Sequence, residues 1–329
     1  MQTQSKLNKV LVGDSLNHFL LLSKREIRTA KNGRDYLNIE LRDDTNSLSS
    51  KMWDGFAEIF TTAKEGDIVK VEGVIDEFQG TPQIKINKIR KVDPADGITF
   101  EYFLPKSERN LDLMKKELGI VIDSISNPFI KQLLGNVLVG ERFDKYLRVP
   151  AGKSWHHSYI HGLLEHTLEI VKICELAASF HNEVKRDLLI AGAILHDFGK
   201  TEELKIDANF DYTDKGRLIG HIVIAANIVD KECEKISEFP EDLKYQLIHL
   251  ILSHQGKLEF ASPVEPKTLE AIILYHADEL SAKANAYKNA IKSENSSSSN
   301  WTKYLPLANT ALYIPRDKEN DVKENLFDL

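Results

Sequence analysis

The sequence contains little cysteine. Cys174 and Cys233 are the only two cysteines among 329 residues, and both stand in apolar or mixed helical patterns. So few cysteines exclude the disulfide framework that holds small secreted domains together, and we expect small buried thiols in a reducing compartment. A disulfide between the two is the less favoured alternative.

Segments that direct a chain to a membrane or out of the cell are lacking as well. The first residues, MQTQSKLNKVLVGDSLNHFLLL, have neither the compact apolar core of a signal peptide nor a small-residue cleavage site. No stretch reaches the roughly eighteen apolar residues that a membrane span needs. The sequence therefore predicts a cytoplasmic protein without a membrane partner.

Positive charge is not in excess. The net charge is −7 at pH 7, with a near balance of charges over residues 1–95 and an acidic excess beyond them. This distribution excludes a whole surface that binds nucleic acid nonspecifically, so any contact with a polyanion must be local. The length of 329 residues, 42% of them hydrophobic, allows two globular domains.

Residues 8 to about 92 alternate between apolar and polar side chains, as β-strands do. The pattern predicts strands near 19–28, 36–42, 47–53, 67–77 and 83–91, with a short helix at 56–62. Turn residues such as Lys31-Asn32-Gly33 and Gly80-Thr81-Pro82 separate the strands. Five short strands with a helix between the third and the fourth are the order of an OB barrel, so we assign residues 1–95 to an OB-fold nucleic-acid-binding domain.

Aromatic and basic residues alternate in this barrel. Tyr36, Trp53 and Phe78 fall on different strands, with Arg34 and Lys51 among the nearby cations. Rings stack on bases while cations follow phosphates, which is what a single strand of nucleic acid requires. Each ring taken alone is equally well explained by a place in the barrel core.

The periodicity changes to 3.6 residues after the linker-like stretch Asp93–Gly97. Helices are predicted at about 107–124, 128–139, 162–181, 187–198, 217–236, 241–254 and 266–290. The predicted fold is therefore multidomain, with an N-terminal all-β OB barrel followed by an all-α helical bundle. Residues 96–150 form a linker and helical extension, 151–292 the bundle proper, and 293–329 a low-complexity stretch and C-terminal tail.

The predicted helix 187–198 is apolar on every side until it reaches His196-Asp197. A buried carboxylate is costly unless it is paired or binds a metal. Gly199 is expected to close this helix, so that Lys200 emerges beside the pair. Other predicted helices supply His166, at the edge of an apolar stripe, and Asp278, after an apolar run.

Two more histidines, His221 and His254, come from predicted helices between these. One histidine alone is more often a core residue than a ligand, but six ligand-type groups in one helical domain favour a metal site. Histidine nitrogen combined with carboxylate oxygen suits manganese, iron, cobalt or zinc.

The order of these residues resembles the H…HD…D signature of the HD phosphohydrolase superfamily, a helical bundle around one or two metals. His166, His196-Asp197 and Asp278 carry the signature, and His221 and His254 match the extra pair of its dinuclear branch. The OB barrel, together with the stretches 160–167 and 196–200, further resembles the YhaM family of bacterial 3′-to-5′ exoribonucleases over about residues 10–290.

The resemblance implies two divalent ions, with manganese the first expectation. One ion is held by His166, His196, Asp197 and Asp278, and the second by His221, His254 and a bridging Asp197. The implied reaction releases nucleoside monophosphates from single-stranded RNA, with single-stranded DNA as a further substrate. Asp197 and Lys200 are the expected catalytic residues, Asp197 beside the attacking water and Lys200 at a phosphate oxygen or the leaving 3′ oxygen.

Two positions depart from the family pattern, and further histidines, among them His276, which we expect to pack rather than bind a metal, remain outside it. Gln255 stands where many dinuclear relatives have a second consecutive histidine, and His161 where a glycine is usual. His156 and His157 either line the mouth of the site or belong to the loop before the helix of His166. His181 and His249 fit ordinary helix positions.

Two other functions are compatible with the same motifs. The first is an HD hydrolase of small nucleotides with a regulatory OB domain, although a mononucleotide does not need a strand-tracking surface. The second is a single-strand-binding, replication-associated protein with a vestigial HD site, although such a protein has no need of an intact ligand set. The sequence leaves a homo-oligomer open.

Overall fold

The computed structural model of the chain describes residues 4–294, 299–306 and 308–315. Its first part is a closed barrel with the strand order β1-β2-β3-β5-β4, which confirms the predicted OB fold. The elements are β1 (Ser15–Thr29), β2 (Asp35–Arg42), β3 (Ser47–Met52), α1 (Phe56–Thr62), β4 (Ile68–Phe78) and β5 (Thr81–Lys91). The short β3–β5 contact that closes the barrel is parallel, whereas the other strand pairs are antiparallel.

The barrel core follows from the two-residue alternation along the strands. Leu37, Ile39 and Leu41 on β2 are buried, while the residues between them are half-buried. On β4, Gly73 lies at a shift of register against β5, where an added Cβ would stand 2.4 Å from the carbonyl oxygen of Lys85. A side chain at this bulge would therefore push the two strands apart.

The chain beyond the barrel is largely helical. Its helices are α2 (Leu111–Asp123), α3 (Pro128–Val137), α4 (Gly140–Arg148), α5 (Gly162–Phe180), α6 (Arg186–Leu195), α7 (Lys200–Glu203), α8 (Asp214–Ile219), α9 (His221–Glu234), α10 (Glu241–Ser253) and α11 (Leu269–Ser293). Helices α2–α6 and α9–α11 share one hydrophobic core. The helices of the predicted extension 96–150 therefore pack with the helices that carry the candidate metal ligands. None of the helices among the described residues is long and apolar enough to cross a bilayer.

Three features of this part differ from the helices predicted from the sequence. The helix predicted at 217–236 is broken at Gly220, whose φ of +78° turns the backbone so that α9 begins at His221. A two-stranded sheet of β6 (Leu204–Ile206) and β7 (Phe210–Tyr212) interrupts the helices. Helix α4, which was not predicted, has only 9 residues, most of them polar, so its apolar series is too short to establish a period from sequence.

The hairpin β6–β7 joins the two parts of the molecule. Arg42, the last residue of β2, donates hydrogen bonds to the carbonyl oxygens of Phe103, at 3.2 Å, and Ala208, at 2.9 Å. Beside it, Leu21, Ile68 and Phe103 form a small apolar cluster against which Ala208 packs. The barrel therefore contacts the rest of the molecule through Arg42, Leu21 and Ile68, which meet Phe103 and the hairpin residue Ala208.

The predicted low-complexity stretch and tail are only partly within the described residues, since 295–298, 307 and 316–329 lie outside them. The described part contains the bridges Trp301 with Tyr313 and Leu305 with Thr310. Cys174 and Cys233 are both free and buried, as the sequence predicted.

Candidate metal centre

Four imidazole rings converge on the carboxylate of Asp197, which lies with His196 in the turn between α6 and α7. Its Oδ2 atom is 3.4 Å from Nε2 of His196 and 3.9 Å from Nε2 of His166. Its Oδ1 atom is 3.3 Å from Nε2 of His221 and 3.6 Å from Nε2 of His254. Each carboxylate oxygen thus faces its own pair of histidines.

Asp278, on α11, completes the first of these two groups. Its Oδ1 atom lies 3.0 Å from Nε2 of His166, on the Oδ2 side of Asp197. All six residues predicted as ligands therefore meet at one place in the helical part, although they come from α5, α9, α11 and the turns that follow α6 and α10.

The Nδ1 atom of every one of these histidines already has a partner. A partner on Nδ1 fixes the ring and leaves Nε2 free to bind a metal. The partners are Ser281 Oγ for His166 at 3.0 Å, the Ala193 carbonyl for His196 at 2.8 Å, Glu203 Oε1 for His221 at 3.0 Å and the Ile251 carbonyl for His254 at 2.7 Å. Ser281 and Glu203 could not be identified from the sequence, because serine and glutamate at helix positions are ordinary residues.

The electrostatics keep the carboxylate ionised. Burial works to raise the pKa of Asp197, but the adjacent Lys200 and His196 outweigh it and hold that pKa well below its ordinary value. Burial likewise opposes the charge on Lys200, yet Asp197 raises the pKa of this ammonium, whose Nζ lies 2.5 Å from Oδ2. Asp197 is therefore available as an anionic ligand at neutral pH.

Two of the four rings are held in the neutral form that binds metals. Burial lowers the pKa of His254 to about 4 and that of His166 well below its ordinary value. His196 differs, because the charge of Asp197 outweighs burial and raises its pKa.

Three buried atoms of the centre lack a hydrogen-bond partner: Nε2 of His196, Nε2 of His221 and Oδ1 of Asp197. Buried polar atoms are nearly always paired, so orphaned nitrogens around a carboxylate are the signature of a cation site. The donor set of imidazole nitrogen and carboxylate oxygen fits manganese, iron, cobalt or zinc. The residues present therefore fit the implied metals.

Gly199 serves a different purpose from the helix-closing role predicted for it. Its φ of −61° is helical rather than left-handed, so its conformation is open to any residue. An added Cβ would instead stand 2.0 Å from the carbonyl oxygen of His221 and 2.8 Å from the nitrogen of Ala225. Glycine is required because α9 packs its first turn directly on this backbone, which brings His221 to Asp197.

The two departures from the family pattern have visible consequences. The Gln255 side chain reaches the second histidine pair, with its amide nitrogen 3.1 Å from Nε2 of His254. His161 has a φ of +71°, in the left-handed region where glycine is favoured, which explains why a glycine is usual there.

His156 and His157 lie inside the site rather than on a surface loop. Their rings are 5.0 Å and 5.1 Å, centroid to centroid, from the ring of His166. Nε2 of His157 is 3.2 Å from the carboxylate of Glu169, which also accepts a 2.6 Å hydrogen bond from Ser281. His157 and Glu169 thus support the hydroxyl that fixes His166.

The five barrel residues predicted to bind nucleic acid form one patch. The rings of Tyr36 and Trp53 are 4.6 Å apart, and the Arg34 guanidinium lies 6.0 Å from the Trp53 ring. The Lys51 ammonium lies 6.0 Å from the Tyr36 ring and 4.5 Å from the Phe78 ring. Trp53 is 40% exposed and Phe78 49%, so neither ring belongs to the barrel core.

A groove of about 730 Å³ begins at this patch and follows β5. Its basic lining residues are Lys51, Lys70, Lys85, Lys88 and Arg90, with Asp54 and Glu72 as the acidic ones. Because β5 runs from the end of the barrel near Phe78 towards the strand ends that meet the helical part, the groove leads from the aromatic patch towards that junction.

Comparison with known proteins identifies a family for the helical part and another for the barrel. The family model for the HD domain matches residues 163–283, and the model for an OB-fold nucleic acid binding domain matches residues 22–92. The barrel and the centre around Asp197 therefore define an HD-domain protein with an OB module.

Curated relatives extend the similarity to nearly the whole chain. The 3′-5′ exoribonuclease YhaM of Listeria innocua is 34% identical over 289 residues, which cover 85% of this chain and 89% of the relative. That of Bacillus subtilis is 32% identical over 281 residues with the same coverage, and that of Oceanobacillus iheyensis is 31% identical and covers 94% of this chain and 97% of the relative. The chain belongs to the YhaM family of 3′-5′ exoribonucleases.

Proposed function

We propose that this protein degrades single-stranded RNA from its 3′ end and releases nucleoside monophosphates, with two divalent ions at the centre around Asp197. The observation that carries the proposal is the arrangement of four histidine nitrogens in two pairs, one pair on each oxygen of a buried carboxylate. Manganese as the ion, single-stranded DNA as a second substrate and a cytoplasmic location belong to the same proposal.

The residues that would hold the ions form two groups, one on each carboxylate oxygen of Asp197. His166, His196 and Asp278 would serve on the Oδ2 side of Asp197, and His221 and His254 on the Oδ1 side. When bound, divalent ions of this kind supply Lewis acidity that activates water and stabilises charge on a phosphate. In the reaction, water adds to phosphorus and the bond to the 3′ oxygen of the shortened strand breaks.

The role of Lys200 follows from its burial and charge. Its side chain is 8% exposed and its pKa is raised by Asp197, so the ammonium stays protonated inside the site. Such a group would neutralise a phosphate oxygen or the leaving 3′ oxygen more effectively than it could in water.

The barrel would hold the strand upstream of the scissile bond. Stacking on Trp53 and Tyr36 and the basic groove along β5 support this role, because the groove runs towards the helical part. We propose residues 1–95 as the binding module, 96–150 as the connecting extension, 151–292 as the hydrolytic module and 293–329 as an accessory tail. This surface favours a polymer over the small-nucleotide substrate, and the complete ligand set disfavours a vestigial site.

Metal dependence and substrate class are tested together by stripping the protein of metal. The apoprotein is incubated with 3′- or 5′-labelled single-stranded RNA or DNA, and manganese, magnesium, cobalt or zinc is added separately. We expect no hydrolysis without metal and monophosphates from RNA on addition of manganese. Hydrolysis that persists in chelator at an undiminished rate would exclude the proposed chemistry.

Replacement of Trp53 by alanine tests the barrel surface. Stacking on an aromatic side chain contributes roughly 1–3 kcal/mol per base, so we expect the affinity for a 20-nucleotide RNA to fall about tenfold. The control is Trp301→Ala, since Trp301 is also exposed, at 55%, and packs on a tyrosine, but lies outside the barrel. Equal affinities of the two variants in a fluorescence-anisotropy titration would remove Trp53 from the binding surface.

A further inference from the structure

His156 lies in a loop that is held by hydrogen bonds, by a residue with a positive φ and by close backbone packing. The nitrogen of Ala151 donates to the carbonyl of His157 at 3.1 Å, and the nitrogen of His157 donates to Oδ1 of Asn285 at 2.8 Å. The φ of His157 is +42°, and an added Cβ at Gly162 would stand 2.0 Å from the carbonyl oxygen of His157. Backbone strain of this kind persists where the surroundings enforce it and concentrates at functional sites.

The loop holds the His156 ring against His166 while leaving its polar atoms without partners. Both ring nitrogens of His156 are buried, and neither has a hydrogen-bond partner. A buried polar group that stays unpaired is destabilising, so we expect a ring held in this state to find its hydrogen-bond partner when the site is occupied. The ring nitrogens of His157 also lack a hydrogen-bond partner, but its Nε2 atom lies 3.2 Å from the Glu169 carboxylate, so this ring has a charged neighbour within the protein.

The nitrogens that face the oxygens of Asp197 belong to His166, His196, His221 and His254, and not to His156. Among the described residues, the groups of histidine and carboxylate atoms that lie close enough to share an ion do not include His156, whereas His157 lies in a separate group with Glu165 and Glu169. The His156 ring instead lies against His166, whose Nε2 is on the Oδ2 side of Asp197, the oxygen that also faces the Lys200 ammonium. An imidazole there offers at least one N–H donor next to a cation, which suits an anionic acceptor.

We propose that His156 donates a hydrogen bond to a non-bridging oxygen of the phosphate that is cleaved, and that with Lys200 it forms a phosphate subsite beside the metals. The proposal deepens the proposed function and rests on it for the identity of the phosphodiester. Its ligand class is a nucleoside monophosphate or the terminal phosphodiester of a single strand.

The experiment compares wild type, His156→Ala, His156→Asn and His181→Ala, the last being an exposed histidine at the far end of α5. Metal content is measured by mass spectrometry, adenosine monophosphate binding in manganese by calorimetry, and RNA hydrolysis by kcat and KM. We expect His156→Ala to keep the metal content of wild type, to bind the monophosphate about tenfold more weakly and to lose about a hundredfold in kcat/KM. His156→Asn, which retains an N–H donor, should recover part of both losses.

Several results would overturn this role. Loss of metal in both His156 variants would make His156 a ligand, and monophosphate binding equal to that of His181→Ala would remove it from the phosphate. Monophosphate binding is measured without turnover, so a wild-type protein that binds the monophosphate but does not cleave RNA would contradict the proposed function while still deciding the role of His156.

Discussion

Replacement of Asp197 by asparagine is expected to lower RNA hydrolysis by about a thousandfold or more. The amide keeps the shape of the side chain but loses its charge, and one of its two positions becomes a donor aimed at imidazole nitrogens. Because each oxygen of Asp197 faces one pair of histidines, a single substitution weakens both halves of the centre.

This change is measured by metal content and by single-turnover hydrolysis in metal-controlled buffer. Both ions should be lost, while binding of a single strand stays near the wild-type value because the barrel patch is separate. Asp207→Asn is the matched control, since Asp207 is an exposed aspartate paired with Lys205 at 3.0 Å. Activity of Asp197→Asn within tenfold of wild type would exclude Asp197 as the shared ligand.

Replacement of Gly199 by alanine is expected to disable the second half of the centre selectively. The new methyl group would overlap the carbonyl oxygen of His221, so the first turn of α9 must move away and take Nε2 of His221 from Oδ1 of Asp197. The pair on the other oxygen, His166 and His196, belongs to α5 and to the turn after α6. We therefore expect metal content to fall from two ions to one and hydrolysis to fall about a hundredfold.

The control is Gly135→Ala in α3, where an added Cβ has nothing within 4 Å. Helix propensity alone favours alanine over glycine by roughly 1 kcal/mol, so this variant should be slightly stabilised with unchanged metal content. If Gly199→Ala also retained both ions and full activity, the close packing of α9 on Gly199 would have no part in building the centre.

The sequence was sufficient to predict most of this architecture because strand alternation and helix periodicity are local signals. The five strands and α1 lie within a few residues of their predicted positions, and the patch of Tyr36, Trp53 and Phe78 follows from them. The six candidate ligands could be selected because several histidines and aspartates beside apolar helical residues of one domain are costly without a function.

What could not be predicted depends on contacts between distant segments. Glu203 and Ser281 fix two of the imidazole rings, yet neither residue type is unusual where it stands. The apolar period runs through Gly220 without interruption, so the start of α9 at His221 is visible only when its packing on Gly199 is known. His156 was ambiguous in sequence because a histidine before a helix serves equally as a loop residue.

The central claim, hydrolysis from the 3′ end at a site fed by a single strand, is tested most directly with one RNA. It carries a 5′ label, a stable hairpin and a 3′ single-stranded tail of about ten nucleotides, long enough to cross one OB barrel. A duplex cannot stack its paired bases on aromatic side chains, so the enzyme should stop at the stem. In manganese we predict a ladder that shortens from the tail and halts a few nucleotides before the hairpin, with no change when a 5′ phosphate is added. Early internal fragments, or equal decay of a circular RNA, would contradict this account.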